Sequence, residues 1–187
     1  MKSIVLFASG RGSNVQAILN YFKQKEAVKP ALIVCNKPGA GVLDIAAAHQ
    51  ISTLLVDKKS IKEIDFCRQL QELKPDLLVL AGFLWKIPDT LVAAFPDKII
   101  NIHPALLPLY GGKGMYGQFV HEAVKQAGDK ESGITIHYVN EHYDSGNIIV
   151  QARCSVQEED SPESLAEKIH RLEHFYYPRV IDFLLHQ

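Results

Sequence analysis

Two polar side chains able to donate hydrogen bonds or move protons lie two residues apart in Asn101-Ile102-His103-Pro104. Because alternate residues of a strand face the same side, Asn101 and His103 project together while Ile102 packs the other way. Pro104 favours an extended His103 and ends the strand. The pair therefore stands at the carboxyl end of a strand, where open α/β sheets hold their ligands. A core histidine beside a capping asparagine is the plain alternative.

A carboxylate that could join this pair lies on the turn Asp144-Ser145-Gly146. Taken alone, Asp-x-Gly is the pattern of an ordinary turn. Beside His103, the carboxylate would favour the imidazolium form and orient the ring. The turn is therefore a functional candidate only in company with the histidine.

The same region raises the question of a metal site. His103, His137, His142 and Asp144 are all possible ligands, but their spacing matches no standard zinc pattern. His137 also falls in the middle of a predicted strand. Because histidines in ordinary roles are far commoner than unpatterned metal sites, we expect no metal.

A glycine-containing loop, Ser9-Gly10-Arg11-Gly12-Ser13-Asn14, follows the first predicted strand and opens a helix. Glycines let backbone amides approach an anion, and the helix N-terminus favours negative charge. The loop lacks both the Gly-Lys-Ser/Thr of a P-loop and the third glycine of a dinucleotide fingerprint. It is typical of a site for one phosphate monoester. The alternative is a tight turn in which Ser13 or Asn14 caps the helix.

Strands alternating with helices position these residues. Hydrophobic patterning predicts seven strands, at 4–8, 31–35, 53–56, 77–80, 99–102, 134–139 and 148–156. It predicts helices at 14–23, 41–49, 61–73 and 118–126, and a last helix that starts at Ser161-Pro162 and runs towards Tyr177. The alternation implies an α/β domain with a mainly parallel sheet covered on both faces. The last two strands are close enough in sequence to be antiparallel neighbours.

The bulk composition excludes several classes of protein. The chain has 187 residues, 47% of them hydrophobic, which suits a single domain with a proper core. Its formal net charge of -1 argues against a general nucleic-acid binder. Cys35, Cys67 and Cys154 form no C-x-x-C pair and fit a reducing compartment. We see no signal peptide or membrane span and expect a cytoplasmic protein.

Taken in order, the motifs resemble the glycinamide ribonucleotide transformylase family, the folate-dependent enzymes of purine synthesis. Each motif is weak alone, but their order and spacing along nearly the whole chain are specific. The segments that carry the resemblance are 9–14, 80–83, 101–104, 133–139, 144–146, 173–174 and Pro178. Ala105, Trp85-Lys86 and the loop Gly111 to Gly117 depart from the common pattern, and no role is assigned to that loop.

The resemblance implies a single Rossmann-like formyltransferase domain over residues 1–187. Its first half, about 1–100, would bind the nucleotide, and its second half, about 101–187, would bind folate and carry out catalysis. The implied reaction moves the formyl group of 10-formyltetrahydrofolate to the amine of glycinamide ribonucleotide. Both partners are small molecules, and the implied co-substrate needs no metal.

The resemblance also implies roles for individual residues. Asn101, His103 and Asp144 match the catalytic trio. The ribonucleotide would be bound by Gly12, Ser13 and Asn14 at its phosphate and by Glu173. The folate pocket would be formed by Lys62, Leu84, Trp85, Lys86, Ile87, Val139, Asn140 and Glu141, together with Asn101 and Asp144. In this scheme, Asn101 and a protonated His103 stabilise the developing oxyanion, and His103 shuttles protons.

Other activities remain open on sequence grounds. A related folate formyl hydrolase or another amine formyltransferase could share the same trio. A transferase acting on tRNA is disfavoured by the near-neutral charge and by the lack of a further domain. A nucleotide-binding module without catalysis would not require Asn101, His103 and Asp144 together.

Overall fold

The computed structural model describes residues 1–23, 25 and 27–187. These residues form one sheet of seven strands, in the order β3-β2-β1-β4-β5-β6-β7. The strands are β1 (Lys2–Ala8), β2 (Val28–Cys35), β3 (Thr53–Leu55), β4 (Leu77–Leu80), β5 (Ile99–His103), β6 (Glu131–Tyr138) and β7 (Ile148–Ser155). Strands β1 to β5 are parallel, and β6 and β7 are antiparallel to their neighbours. The predicted α/β fold with a mainly parallel sheet is confirmed.

Helices cover both faces of the sheet. They are α1 (Ser13–Phe22), α2 (Gly41–Ala48), α3 (Ile64–Glu72), α4 (Asp89–Ala94), α5 (Gln118–Ala127) and α6 (Pro162–Leu185). Alternate residues of β1 enter two separate cores: Ile4 and Leu6 pack with α1, α2 and α6, whereas Val5 and Phe7 pack with α3 and α4. This double burial explains why β1 is a continuous apolar run.

The sheet order places a ligand crevice beside β1. The chain builds β1, β2 and β3 outward in one direction and then returns to place β4 on the other side of β1. The loops after β1 and β4 therefore diverge, which leaves a crevice at the carboxyl ends of the strands. Two contacts join these loops at its floor: the Ser9 amide donates to the Gly82 carbonyl (3.0 Å), and the Leu84 amide donates to Ser9 Oγ (2.9 Å).

Several element boundaries differ from the sequence predictions. The helix predicted over 61–73 is a 3₁₀ turn at Ser60–Lys62 followed by α3, because the extended backbone of Glu63 separates them. The short helix α4 was not predicted. Helix α6 continues through the buried Pro178 to Leu185 rather than ending near Tyr177.

Strand β2 is longer than the strand predicted at 31–35. Strand β2 begins at Val28 and includes Pro30, opposite which the β1–β2 register shifts. A bulge of this kind tolerates a residue that cannot donate a ladder hydrogen bond.

Within the described part of the chain, no helix has both the length and the apolar character needed to cross a bilayer.

Candidate active site

A cavity of about 880 Å³ opens at the carboxyl ends of β1, β4 and β5. Its walls come from the loops after these strands, from the glycine-rich loop before α5, from the β6–β7 connection and from the first half of α6. Its volume lies near the upper end of the range for small-molecule sites. It is therefore large enough for a reaction between two bound molecules.

The imidazole of His103 lies at the inner end of the cavity and is 3% exposed. Its Nε2 lies 2.7 Å from the carbonyl oxygen of Tyr110. Because a carbonyl oxygen only accepts hydrogen bonds, Nε2 must carry a proton and donate it there. The other ring nitrogen, Nδ1, lies 3.6 Å from Oδ2 of Asp144. The expected approach of the Asp144 carboxylate to His103 is thus present in the structure.

His137 orients Asn101 across the β5–β6 pair. The two residues are direct partners in the antiparallel ladder, and Asn101 Nδ2 lies 3.2 Å from His137 Nε2. The other nitrogen of His137, Nδ1, donates to the Tyr138 carbonyl at 2.8 Å, so Nε2 is the acceptor for the Asn101 amide. Burial lowers the pKa of His137, which keeps the ring neutral and preserves this acceptor.

Asp144 completes the set from a turn of unusual conformation. Its φ of +50° lies in the left-handed region, which aspartate tolerates better than most residues. Its Oδ2 accepts from the Gly112 amide at 2.9 Å, and its Oδ1 lies 3.5 Å from Asn101 Nδ2. Gly146 is required two residues later because a Cβ there would overlap the Tyr138 carbonyl oxygen. His137 Nε2 lies 3.8 Å from Asp144 Oδ1, but a neutral ring forms no ion pair at that distance.

The opposite end of the cavity is built on the N-terminus of α1. Gly12 is the N-cap residue with φ +81°, and no side chain caps the helix among the residues the structure describes. The alternative interpretation, in which Ser13 or Asn14 caps the helix, is therefore not supported by the described structure. A Cβ on Gly12 would come within 2.9 Å of Val42 and Ile45, so packing against α2 also requires glycine. The uncapped amides of the first turn are left for an anion.

Asn14 is committed to a partner other than its own helix. Its Nδ2 donates to Oε2 of Glu173 at 3.1 Å, which links α1 to α6. Burial raises the pKa of Glu173 to about 7, although the hydrogen bond from Asn14 acts in the opposite direction. The Oδ1 atom of Asn14 is buried, with no hydrogen-bond partner in the described structure. A ligand hydroxyl or amine could satisfy it.

Most of the predicted folate-contacting residues line the cavity, but two do not. The cavity wall includes Leu84, Trp85, Lys86, Ile87, Val139 and Asn140, together with Asn101 and Asp144. Lys62 lies on the 3₁₀ turn before α3 and is exposed away from this wall, and Glu141 is exposed on the β6–β7 connection. The predicted folate contacts of Lys62 and Glu141 gain no support from the geometry and stay predictions. Lys86 is held by Asp89 at 2.7 Å.

Several cavity residues were not predicted from the sequence. Lys113 and Tyr116 from the glycine-rich loop, His121 from α5 and His170 from α6 all contribute to the wall. Burial lowers the pKa of His121 to about 4. Burial and the positive charge of Arg11 lower the pKa of His170. A sequence signal existed for His170, because it lies one helical turn before Glu173 on the same face.

The described residues contain no cluster of three or more histidine, cysteine or acidic side chains able to hold a metal ion. The inner end of the cavity contains side-chain donors and an imidazole–carboxylate pair. The other end contains free helix amides. This arrangement can bind an anion at one end while moving protons at the other.

Comparison with known proteins places this geometry in context. A family model described as formyl transferase matches residues 1–181. The chain is 41% identical, over 191 residues, to a phosphoribosylglycinamide formyltransferase of Bacillus subtilis, covering 99% of this chain and 95% of that protein. It is 40% identical to a chloroplastic phosphoribosylglycinamide formyltransferase of Arabidopsis thaliana, of which it spans 64%.

A solved structure agrees in fold. The crystal structure of glycinamide ribonucleotide transformylase 1 from Geobacillus kaustophilus matches this chain with a TM-score of 0.89 and 36% identity. The match covers 99% of both chains. The similarity therefore extends over the entire sheet and both ends of the cavity.

Proposed function

The chain belongs to the formyl transferase family, and we propose that it transfers the formyl group of 10-formyltetrahydrofolate to the amine of glycinamide ribonucleotide. The products are formylglycinamide ribonucleotide and tetrahydrofolate, in a step of purine biosynthesis. One observation carries the assignment: an anion-binding helix N-terminus and the His103–Asp144 pair open into the same cavity.

The ribonucleotide binds with its phosphate at the start of α1. The amides of Gly12, Ser13 and Asn14 and the helix dipole favour a dianion there. Glu173 and the free Oδ1 of Asn14 accept hydrogen bonds from the polar groups of the ribose or glycinamide. This arrangement orients the amine towards the inner end of the cavity, where Asn101 and His103 lie.

The folate co-substrate fits the remaining wall. Leu84, Trp85, Ile87 and Val139 provide an apolar surface, and the neighbouring backbone provides polar groups for a pterin-like ring. Phe83 supports Trp85 by edge-to-face packing with ring centroids 6.2 Å apart. When bound, the co-substrate supplies the one-carbon formyl group.

Asn101 and His103 stabilise charge at the reacting centre. As the substrate amine attacks, negative charge develops on the formyl oxygen and requires donors already in place. Asn101 Nδ2 has two protons, and it donates one of them to His137 Nε2 at 3.2 Å. The other makes only a long contact of 3.5 Å with Asp144 Oδ1, so it can be donated to the formyl oxygen. The Nδ1 atom of His103, when protonated, is the second donor, because Nε2 is already committed to Tyr110.

Proton transfer uses the same imidazole. The attacking nitrogen must lose a proton, and the leaving folate nitrogen must gain one. Oδ2 of Asp144 lies 3.6 Å from Nδ1 of His103, where its negative charge stabilises the positive charge that the ring carries during the transfer. His103 thus carries the proton between the two nitrogens without a covalent enzyme intermediate.

The two halves of the chain act as functional regions of one domain. Residues of about 1–100 supply the phosphate loop, and residues of about 101–187 supply the catalytic trio. Helix α6 connects the two regions, because Glu173 on α6 accepts a hydrogen bond from Asn14 on α1. The free cysteines fit a reducing compartment, so we place the reaction in the cytoplasm.

A direct assay separates this function from its closest alternative. The purified chain is incubated with 10-formyltetrahydrofolate, with or without glycinamide ribonucleotide, while the appearance of tetrahydrofolate is followed. Release that requires the ribonucleotide, with formation of its formylated product, supports the proposal. Release at the same rate without the ribonucleotide would identify a hydrolase, and transfer only to another amine would identify a different formyltransferase.

A further inference from the structure

We propose that Tyr110 positions the catalytic histidine and aspartate, through a hydrogen bond of its phenol to Asp129 that holds the adjoining backbone in place. This role rests on the proposed function of the His103–Asp144 pair. The tyrosine itself need not touch either substrate. It acts through the backbone of residues 110–112, which contacts both members of the pair.

The backbone of residues 110–112 bonds to both catalytic side chains. The Tyr110 carbonyl accepts from His103 Nε2 at 2.7 Å, and the Gly112 amide donates to Asp144 Oδ2 at 2.9 Å. Between them, a Cβ on Gly111 would lie 2.6 Å from Leu107 and 3.4 Å from Cβ of Asp144. A shift of this segment would therefore disturb the ring and the carboxylate together.

The Tyr110 side chain fixes this segment from outside the cavity. Its hydroxyl donates to Asp129 Oδ2 at 2.6 Å, and its half-buried ring packs against the main core. Asp129 follows Gly128, the residue that ends α5, so the anchor lies on the α5–β6 connection. The hydrogen bond to Asp129 raises the pKa of Tyr110 to about 12, which keeps the phenol protonated as the donor.

The backbone of Tyr110 needs such an anchor. Its φ of +55° lies in the left-handed region, which a bulky residue adopts only at a cost. Upstream, the Thr135 hydroxyl independently fixes the chain by contacts with the Leu107 amide and the Ala105 carbonyl. Downstream, Gly112 and Gly114 also have positive φ, and a Cβ on either would meet open space. Packing therefore restrains the downstream chain little.

The anchor determines which nitrogen of His103 is used. While the Tyr110 carbonyl remains in place, Nε2 keeps its proton and Nδ1 faces Asp144 and the cavity. If the segment moves, the ring can exchange tautomers and turn away from the reacting centre. Substrate binding at the start of α1 should be unaffected, because that end of the cavity lies on other elements.

The test uses Tyr110→Phe, which keeps the ring and removes the hydroxyl. We expect kcat to fall about tenfold, because small misplacements of a catalytic group reduce rates by such factors. The KM for the ribonucleotide should stay within about twofold. Asp129→Ala should reproduce this loss, whereas Asp129→Asn retains an acceptor and should restore most of the turnover.

Tyr21→Phe is the matched control, because Tyr21 makes a similar hydrogen bond to Asp182 (2.9 Å) between α1 and α6. It should leave kcat unchanged. Long-range ¹H–¹⁵N spectra of the imidazoles, recorded where the rings are neutral, provide a readout independent of turnover. The His103 signal, identified by its loss in His103→Ala, should show one Nε2–H tautomer in the parent and a mixture in Tyr110→Phe.

Unchanged kcat and an unchanged His103 tautomer in Tyr110→Phe would overturn the positioning role. An equal loss of kcat in Tyr21→Phe would also overturn it, since any lost tyrosine–aspartate bond would then have the same effect. If the parent chain shows no formyl transfer at all, the proposed function fails. The imidazole spectra alone would then decide whether Tyr110 fixes the His103 tautomer.

Discussion

The two ends of the cavity are built from different parts of the polypeptide. At the start of α1, the groups that we propose to bind phosphate are backbone amides, and glycine is required at position 12 for both conformation and packing. At the inner end, the groups are the side chains of Asn101, His103 and Asp144, each held by a neighbour's hydrogen bond. The α1 end therefore depends on backbone conformation, and the inner end depends on a network of hydrogen bonds around three side chains.

This difference predicts different responses to mutation. A backbone site keeps its N–H donors in every substitution except one to proline, so it is best disturbed by adding charge or volume. A side-chain network loses its function when a single side chain is truncated. The effects of mutating its members are not additive, because these residues share hydrogen-bond partners.

The largest effect is expected from His103→Ala. Removal of a general acid–base group typically reduces the rate by ~10²–10⁴, so kcat should fall by that factor while the KM for the ribonucleotide changes little. Single-turnover kinetics would measure the chemical step. His49→Ala, a change of an exposed histidine at the end of α2, is the control and should leave the rate unchanged. Near-normal turnover in His103→Ala would remove this residue from the mechanism.

At the phosphate end, Ser13→Asp should separate binding from stability. An acidic residue in the first turn of α1 should raise helix stability by about 0.3–1 kcal/mol. The same charge should repel the substrate phosphate and raise the KM for the ribonucleotide by roughly 10- to 100-fold. The KM for folate should stay constant. Ser13→Asn is the uncharged control, and equal changes in both KM values would argue against a phosphate site here.

Asp144→Asn tests the charge of the turn rather than its shape. Asparagine preserves the left-handed backbone and an acceptor for the Gly112 amide, but it removes the charge beside His103. We expect kcat to fall by about tenfold, because losing about 1.4 kcal/mol of charge stabilisation in the transition state reduces a rate by that factor. The melting temperature should change little. Unchanged turnover would leave Asp144 as a turn residue.

The smallest effect on chemistry is expected from Glu173→Gln, whose signature is the pH dependence of stability. Burial raises the pKa of Glu173 in the folded chain to about 7. The stability that the protonated side chain contributes is therefore fully present below its ordinary pKa of 4.5 and is lost as pH rises through 7. The parent should therefore lose about 2–3 kcal/mol of unfolding free energy relative to Glu173→Gln between pH 5 and pH 8.

Urea unfolding of both chains at the two pH values would measure this difference. Burial shifts the pKa of His121 and His137 in the direction that gives the opposite slope, but both chains share these residues. The comparison therefore isolates Glu173. Parallel stability profiles for the two chains would contradict an elevated carboxyl pKa.

The sequence predicted the parts of the site that local patterns determine. The two-residue period of β5 places Asn101 and His103 together, and the strand–glycine–helix order indicates the proposed anion site at α1. It did not reveal that His137 orients Asn101, because that contact depends on the register of the antiparallel β5–β6 pair. His137 entered the sequence analysis only as a possible metal ligand.

The remaining differences have two physical causes. Lys62 was assigned to a helix because an apolar pattern runs from 61 to 73, but the extended Glu63 interrupts that helix. Lys62 lies on the preceding 3₁₀ turn and does not line the cavity. The sequence indicates no role for the loop from Gly111 to Gly117, whereas in the structure the Gly112 amide of this loop donates a hydrogen bond to Asp144. The first case depends on the backbone conformation of one residue, and the second depends on a contact between residues distant in sequence.

The central claim is that phosphate binding and formyl-transfer chemistry reside at separate ends of one cavity. Titration calorimetry of glycinamide ribonucleotide with His103→Ala and Ser13→Asp tests it most directly. The account predicts a Kd within about threefold of the parent for His103→Ala, and one weakened by at least tenfold for Ser13→Asp. Equal weakening in both variants, or weakening only in His103→Ala, would contradict the division.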